Sequence, residues 1–168
     1  QSPGRCNVFD EHPFRVIVDY GHNPAAMAKM VELVKSLRRR RAIGVVSAAG
    51  DRRDADIREL GRVAAGAFDV FVAKEDIDLR GRAPGETSRL LAEGAKSGGV
   101  TEIVHEPDEP RAIDKALSLA RQGDLVVIFS DQPVTTWKQV IYWGKDRTAP
   151  TGPTRAVKPS VLAEVEIE

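Results

Sequence analysis

Apolar residues recur along this chain in two rhythms that take turns. Short, nearly unbroken runs lie at 14–18, 42–46, 70–73 and 125–129, with a briefer pair at Ile103 and Val104. Runs of that length between polar turns predict strands covered on both faces. Between them the spacing becomes helical: Met27, Met30, Val31, Val34 and Leu37, then Ile57, Leu60, Val63, Ala64 and Phe68, then Ile113, Ala116, Leu117 and Ala120. Such spacing puts the apolar residues on one helix face. Further helices are predicted over 84–96 and within SDQPVTTWKQVIYW. Val8 and Phe9, separated from 14–18 by DEHP, predict a hairpin or a bent strand pair. Pro24 suits a first helical turn, with Asn23 before it as a cap.

Strands alternating with helices predict parallel βαβ units joined by right-handed crossovers. The fold class expected is therefore α/β: a Rossmann-like, doubly wound, mostly parallel sheet of about six strands flanked by helices. Residues 1–146 are read as one domain. Residues 147–168, in a stretch rich in Pro, Thr and Gly, are read as a linker or loosely ordered tail, within which 161–167 is a candidate late strand.

Charge changes this picture little. Lys and Arg number 25, as do Asp and Glu, so no global field favours nucleic acid or a membrane surface. The four arginines at 38–41 suit a solvated helix C-terminus better than a nucleic-acid patch. A single cysteine, Cys6, excludes a disulfide scaffold and a cysteine metal cluster. It accords with a reducing cytoplasm, where the protein is expected. No apolar run approaches the roughly 18 residues of a membrane span, and no secretory segment opens the chain. The first residue is Gln1, and the chain is expected to be a piece of something longer.

The candidate chemistry sits just after the strands. Asp19, Tyr20, His22 and Asn23 follow the first long run, and Gly50, Asp51, Arg52 and Arg53 follow the next. Asp76, Asp78, Arg80 and Arg82 follow the third, and Ser130, Asp131 and Gln132 the last. In an open parallel sheet, ligands bind beyond the carboxyl ends of the strands. Each group also has a structural reading. Asn23 or Asp19 is a candidate helix cap, His22 a candidate hydrogen-bonded structural histidine, and GDRRD a candidate turn with Asp54 as cap. DLRGR reads as a solvated loop or as two forked donors for an anion. Trp137 and Trp143 are read as packing residues.

Absences narrow the choice. No G-x-x-x-x-G-K-[ST] cradle for a triphosphate is present, and no G-x-G-x-x-G follows a strand. The three histidines lack metal-ligand spacing, so no metal is assigned to this chain. No serine sits in a nucleophile elbow.

The segments DYGHNPAAM, GDRRDADIRELGRVAAGAFD, DLRGR and GDLVVIFSDQPVTTWKQV occur in that order within residues 7–143. Together they resemble the C-terminal domain of the Mur ligase superfamily, and within it that of the cyanophycin synthetases. The first segment alone marks only the superfamily. The resemblance implies an ATP-dependent amide ligase. An upstream central domain holds the P-loop, Mg²⁺ and most of the ATP and converts a carboxylate to an acyl phosphate, which an incoming amine attacks. The C-terminal domain closes over the nucleotide and seats the incoming amino acid. In the cyanophycin type that amino acid is arginine, added to the aspartate side chains of an acidic polymer. The implied partners are thus the upstream domain, the amino acid and an acidic peptide or polymer, in a homo-oligomeric parent. This chain, lacking the P-loop, is expected to be inactive alone.

The same resemblance implies roles for single residues. Asp19 lies near the ribose, His22 near adenine or phosphate, and Asn23 orients that turn, as cofactor-binding residues. Asp51, Arg52 and Arg53 reach the nucleotide or acyl phosphate as the catalytic set. Asp78, Arg80 and Arg82 sit where muramyl ligases carry their Asp-Asn-Pro-Arg amino-acid loop, and Asp76 is a second candidate for the carboxylate that binds the incoming amino acid. An aspartate there suits a guanidinium. Gly21 replaces an alanine common in relatives, which implies a looser turn or a different backbone angle. The alternatives are a folylpolyglutamate or muramyl-peptide ligase domain, and a free-standing module that binds a nucleotide or acidic peptide.

Overall fold

The computed structural model describes residues 5–21 and 23–145. The expectations for His22 and for the tail at 147–168 with its late strand lie outside the described residues.

Eleven elements follow one another: β1 (Asn7–Phe9), β2 (Arg15–Asp19), α1 (Pro24–Ser36), β3 (Ala42–Val46), α2 (Asp54–Ala64), β4 (Val70–Ala73), α3 (Glu86–Ser97), β5 (Glu102–His105), α4 (Glu109–Leu119), β6 (Leu125–Phe129) and α5 (Pro133–Tyr142). The strands form one six-stranded sheet in the order β1-β2-β6-β3-β4-β5. Only β1 is antiparallel, closing the predicted hairpin on β2. The other ladders are parallel, so the carboxyl ends of β2, β6, β3, β4 and β5 share one edge.

Strand periodicity divides the core in two. Ile17, Val46, Phe71, Ala73, Val127 and Phe129 point to the face covered by α1, α2 and α3. Val16, Val18, Ile43, Val45, Val70, Val72, Val126 and Ile128 point to the face covered by α4 and α5. Successive side chains of a strand leave on opposite faces, so a continuous apolar run fills both layers. The α2–α3 pair is unusually close. A Cβ at Gly94 would meet the Arg58 carbonyl, and one at Gly61 the Leu91 carbonyl, nearer than van der Waals contact allows.

The basic run departs from its expected place. Helix α1 ends at Ser36, with Leu37 as C-cap. Arg40 and Arg41 lie beyond it and converge on Asp124, whose side chain is fully buried, at 3.0 and 3.2 Å. Asp124 also accepts the Arg121 N–H at 2.9 Å. Two of the four arginines therefore anchor the amino edge of the sheet, because a buried carboxylate requires compensating donors. Trp137 and Trp143 pack against the α4–α5 core, as read from sequence. Among the described residues, no helix is long and apolar enough to cross a membrane.

Candidate functional site

The carboxyl edge is built on a row of polar residues. Val45 lies beside Ile128 and Val72 in the parallel register. Two residues further on, Ser47, Lys74 and Ser130 continue the inward steps of β3, β4 and β6 on the face covered by α4 and α5, and all three are buried. The Lys74 ammonium donates to Ser47 Oγ at 2.9 Å and pairs with Glu109 Oε2 at 2.7 Å. Glu109 opens α4, and its Oε1 accepts from Ser130 Oγ at 2.6 Å and from Thr136 Oγ1 of α5 at 2.9 Å. Burial raises the Glu109 pKa, but Lys74 and the hydrogen bonds from Asp131, Lys74 and Ser130 outweigh it and hold the carboxyl at about 2. Asp131 is shifted the other way, by burial first and then by its hydrogen bond to Glu109.

Above this row opens a cleft of about 490 Å³ between the β4–α3 and β5–α4 loops and the start of α5. Glu75, Asp76, Asp108 and Glu109 line it, and among the described residues no Lys, Arg or His does. Three of these carboxylates are occupied by the chain. Glu75 accepts the Gly85 and Ser88 N–H groups at the start of α3, at 3.1 and 3.2 Å. Asp108 caps α4 through the Arg111 N–H, and Glu109 pairs with Lys74. Asp76 Oδ1 is buried and accepts no hydrogen bond, and Lys74 Nζ lies 3.9 Å away.

The loops after β3 and β4 are locked together. Arg82 donates from Nε to the Gly50 carbonyl and from Nη2 to the Arg52 carbonyl, each at 2.6 Å. Its Nη1 reaches Glu86 and Asp54, each at 2.8 Å. Gly50 allows this approach, since a Cβ there would strike the Leu79 carbonyl. Arg80, with φ +47°, pairs with Asp51 at 2.7 Å on the exposed surface, and this contact holds the Asp51 carboxyl below its usual range. Arg53 is exposed and pairs with Asp56 on its own helix. The structure differs from the sequence expectation in one detail: Arg53, not Asp54, is the N-cap of α2, and Asp54 opens the helix as its first residue.

A third group gathers at the β2 exit. Asp19 Oδ2 accepts the Cys6 N–H at 3.0 Å and the Cys6 thiol at 3.2 Å, while Oδ1 accepts the Gly21 N–H at 2.6 Å. Burial, followed by the Asp19 hydrogen bond and charge, pushes the Cys6 thiol up to about 12. Asn23 caps α1 by accepting the Ala26 N–H at 2.8 Å. Gly21 is not among the residues of positive φ, so no unusual backbone angle requires a glycine. A Cβ there would lie 2.9 Å from Asp19 Oδ1, and the glycine makes room for that carboxylate.

The structure thus brings Asp51, Arg52, Arg80 and Arg82 together and sets Asp76 apart in the cleft. Asp78 is exposed and turns back to accept the Arg80 N–H at 2.9 Å. Sequence reasoning passed over Lys74, Glu109, Ser47 and Thr136. Lys74 was detectable: it continues the period-two step from Val70 and Val72 onto a covered face, where a charge requires a partner. Among the described residues, no group of three or more His, Cys, Asp or Glu side chains is arranged to hold a metal ion.

Comparison with known proteins agrees with this architecture. The family described as "Mur ligase, glutamate ligase domain" matches residues 4–131. The chain is 42% identical over 134 residues to the cyanophycin synthetase of Synechocystis sp., an alignment covering 78% of this chain and 15% of that protein. It is 35% identical over 127 residues to the UDP-N-acetylmuramoyl-L-alanyl-D-glutamate–2,6-diaminopimelate ligase of Solibacter usitatus, covering 75% and 25%. Among solved structures, Mycobacterium tuberculosis folylpolyglutamate synthase complexed with ADP superposes with a TM-score of 0.63 at 25% identity, over 87% of this chain and 33% of that one. The chain spans about 15% of the length of the cyanophycin synthetases it matches. A parallel sheet with its polar groups on the carboxyl edge, and a family match over most of its length, place this chain in the Mur ligase family, as a domain of the glutamate-ligase type.

Proposed function

We propose that this domain is the C-terminal part of a longer ATP-dependent amide ligase of the cyanophycin synthetase kind. It closes over ATP held by an upstream P-loop domain and seats the incoming amino acid, arginine, for attack on an acyl phosphate. On this reading the working protein is a cytoplasmic homo-oligomer. ATP and Mg²⁺ are held mainly by the upstream domain, and the acceptor is an acidic peptide or polymer. The relatives support the ligase assignment, since those at about 40% identity are cyanophycin synthetases.

The observation that carries the arginine assignment is the acidic cleft. Of its four carboxylates, Asp76 and Glu109 each keep a buried oxygen without a hydrogen bond; that of Glu109 is ion-paired to Lys74 at 2.7 Å, whereas that of Asp76 stands 3.9 Å from the same ammonium. A guanidinium offers forked donors that match a carboxylate. Asp78 is a weaker candidate, because it lies in solvent within its own turn. Holding an amine in line with an acyl phosphate supplies about 7–11 kcal/mol of a reaction barrier. Arginine near a phosphoryl group stabilises charge developing in the transition state. Arg52 and Arg53 at the β3 exit are proposed for that role, with Asp51 beside them. Asp19, His22 and Asn23 at the β2 exit are proposed to face the nucleotide. Domain closure then excludes water.

The test uses the full-length polypeptide. Asp76→Asn raises the KM for arginine about 10- to 100-fold, the loss of one charge-assisted hydrogen bond, and leaves the KM for ATP in place. Arg52→Ala lowers kcat without unfolding the protein. Normal kinetics in both variants would remove the site assignment.

A further inference from the structure

The cleft has a floor that the proposed reaction does not use. Lys74 has no solvent exposure, and its ammonium is the one cation in the row of Ser47, Lys74 and Ser130. Each contact of that row joins a different element. Ser47 belongs to the β3 exit, Lys74 to the β4 exit, Glu109 to the start of α4, and Ser130 and Thr136 to the β6 exit and α5. Two backbone contacts extend the network to the rim. The Gln132 N–H donates to Ser130 Oγ at 2.9 Å, and the Ile77 N–H donates to Asp131 Oδ2 at 3.1 Å.

We propose that the buried Lys74–Glu109 pair is the positioning element of this cleft: it fixes the exits of β3, β4 and β6 against the first turns of α4 and α5, and so sets where Asp76 meets the incoming amino acid. Lys74 itself touches no substrate. The inference rests on the reading that the cleft seats that amino acid.

Two observations support it. First, a buried ion pair is a poor source of stability, and apolar residues of equal volume often fold as well or better in its place. The directional demands of an ammonium and a carboxylate specify geometry, which apolar packing of the same site does not. Second, Lys74 stands two residues before Asp76, and its Nζ lies 3.9 Å from the carboxylate oxygen that lacks a hydrogen bond. A shift of the ammonium therefore changes the charge environment of the rim carboxylate proposed to bind the amino acid.

The experiment compares Lys74→Met/Glu109→Met with Asp76→Asn in the full-length polypeptide, with arginine as the probe. The double variant removes both charges together and leaves neither partner buried alone. It is expected to unfold cooperatively near the parent's midpoint, with an arginine KM raised about 10- to 100-fold, the effect of losing one charge-assisted hydrogen bond to the bound guanidinium. The kcat and the KM for ATP stay where they were. An unchanged arginine KM in the folded double variant overturns the proposal. Where the double variant does not fold, Ser47→Ala and Thr136→Val each remove one strut. A rise in the same KM supports the proposal and no rise overturns it. Asp76→Asn separates the two ideas. If it alone raises the arginine KM, the cleft reading stands and the positioning role falls. If neither variant moves it, both fall.

Discussion

Arg82 commits all three guanidinium nitrogens to the chain itself, two of them to backbone carbonyls some thirty residues earlier. That makes it a clamp on the β3-exit turn that carries Asp51, Arg52 and Arg53. Arg82→Ala is expected to lower unfolding free energy by about 1.5–3 kcal/mol, the value of hydrogen bonds to a charged group. Arg80→Ala, which breaks a solvent-exposed pair, should leave it nearly unchanged. Urea unfolding of the two variants checks the contrast, and equal losses would remove the clamp. No sequence pattern separates these arginines, because DLRGR presents them symmetrically and the acceptors are carbonyls of a distant loop. Glu109 is legible only through linkage. Its folded pKa of about 2 lies below the ordinary 4.5, so the stability it contributes is complete above pH 4.5 and is lost as pH falls toward 2. Urea midpoints between pH 7 and pH 3 should fall more steeply for the parent than for Glu109→Gln, and parallel curves would contradict the assignment.

At the scale of elements, β3, β4 and β6 run over the residues the apolar pattern marks, because a strand buried on both faces leaves no polar position to blur its ends. Strand β5 is longer than Ile103 and Val104 suggest. It is one of the sheet's two edge strands, with Glu102 and His105 exposed, and solvated ends carry no hydrophobic signal. Helix α3 begins at Glu86, two residues later than expected, after Gly85 takes a left-handed conformation with φ +86°. The α2–α3 contact was invisible in sequence, since a glycine inside a helix ordinarily weakens it. Here Gly94 and Gly61 let two backbones meet. Gly94→Ala should therefore destabilise by about 1–3 kcal/mol through overpacking, against the roughly 1 kcal/mol that helix propensity alone would add. A thermal midpoint raised by this substitution would show that the helices separate without penalty.

At the scale of the molecule, the sheet sorts its charges by edge. The amino edge is tied down by Arg40, Arg41 and Asp124, while the carboxyl edge holds the locked loops, the Asp19 corner and the acidic cleft. The existence of a loaded carboxyl edge was legible in sequence, because parallel strands must present their exits on one side. Its division into braced and available residues was not, since that depends on which acceptors the fold brings within reach. Of the acidic residues singled out beforehand, Asp19 accepts hydrogen bonds on both oxygens from its own chain, and Asp76 retains a buried oxygen without one. The central claim is that this domain serves a ligase by seating a cationic amino acid. The most direct test is phosphate release by the full-length polypeptide with ATP, Mg²⁺ and an aspartate-rich acceptor, each amino acid supplied singly. The account predicts release that requires arginine and that weakens in Asp76→Asn. Release driven by an acidic or neutral amino acid, or none from a folded protein that still binds ATP, would contradict it.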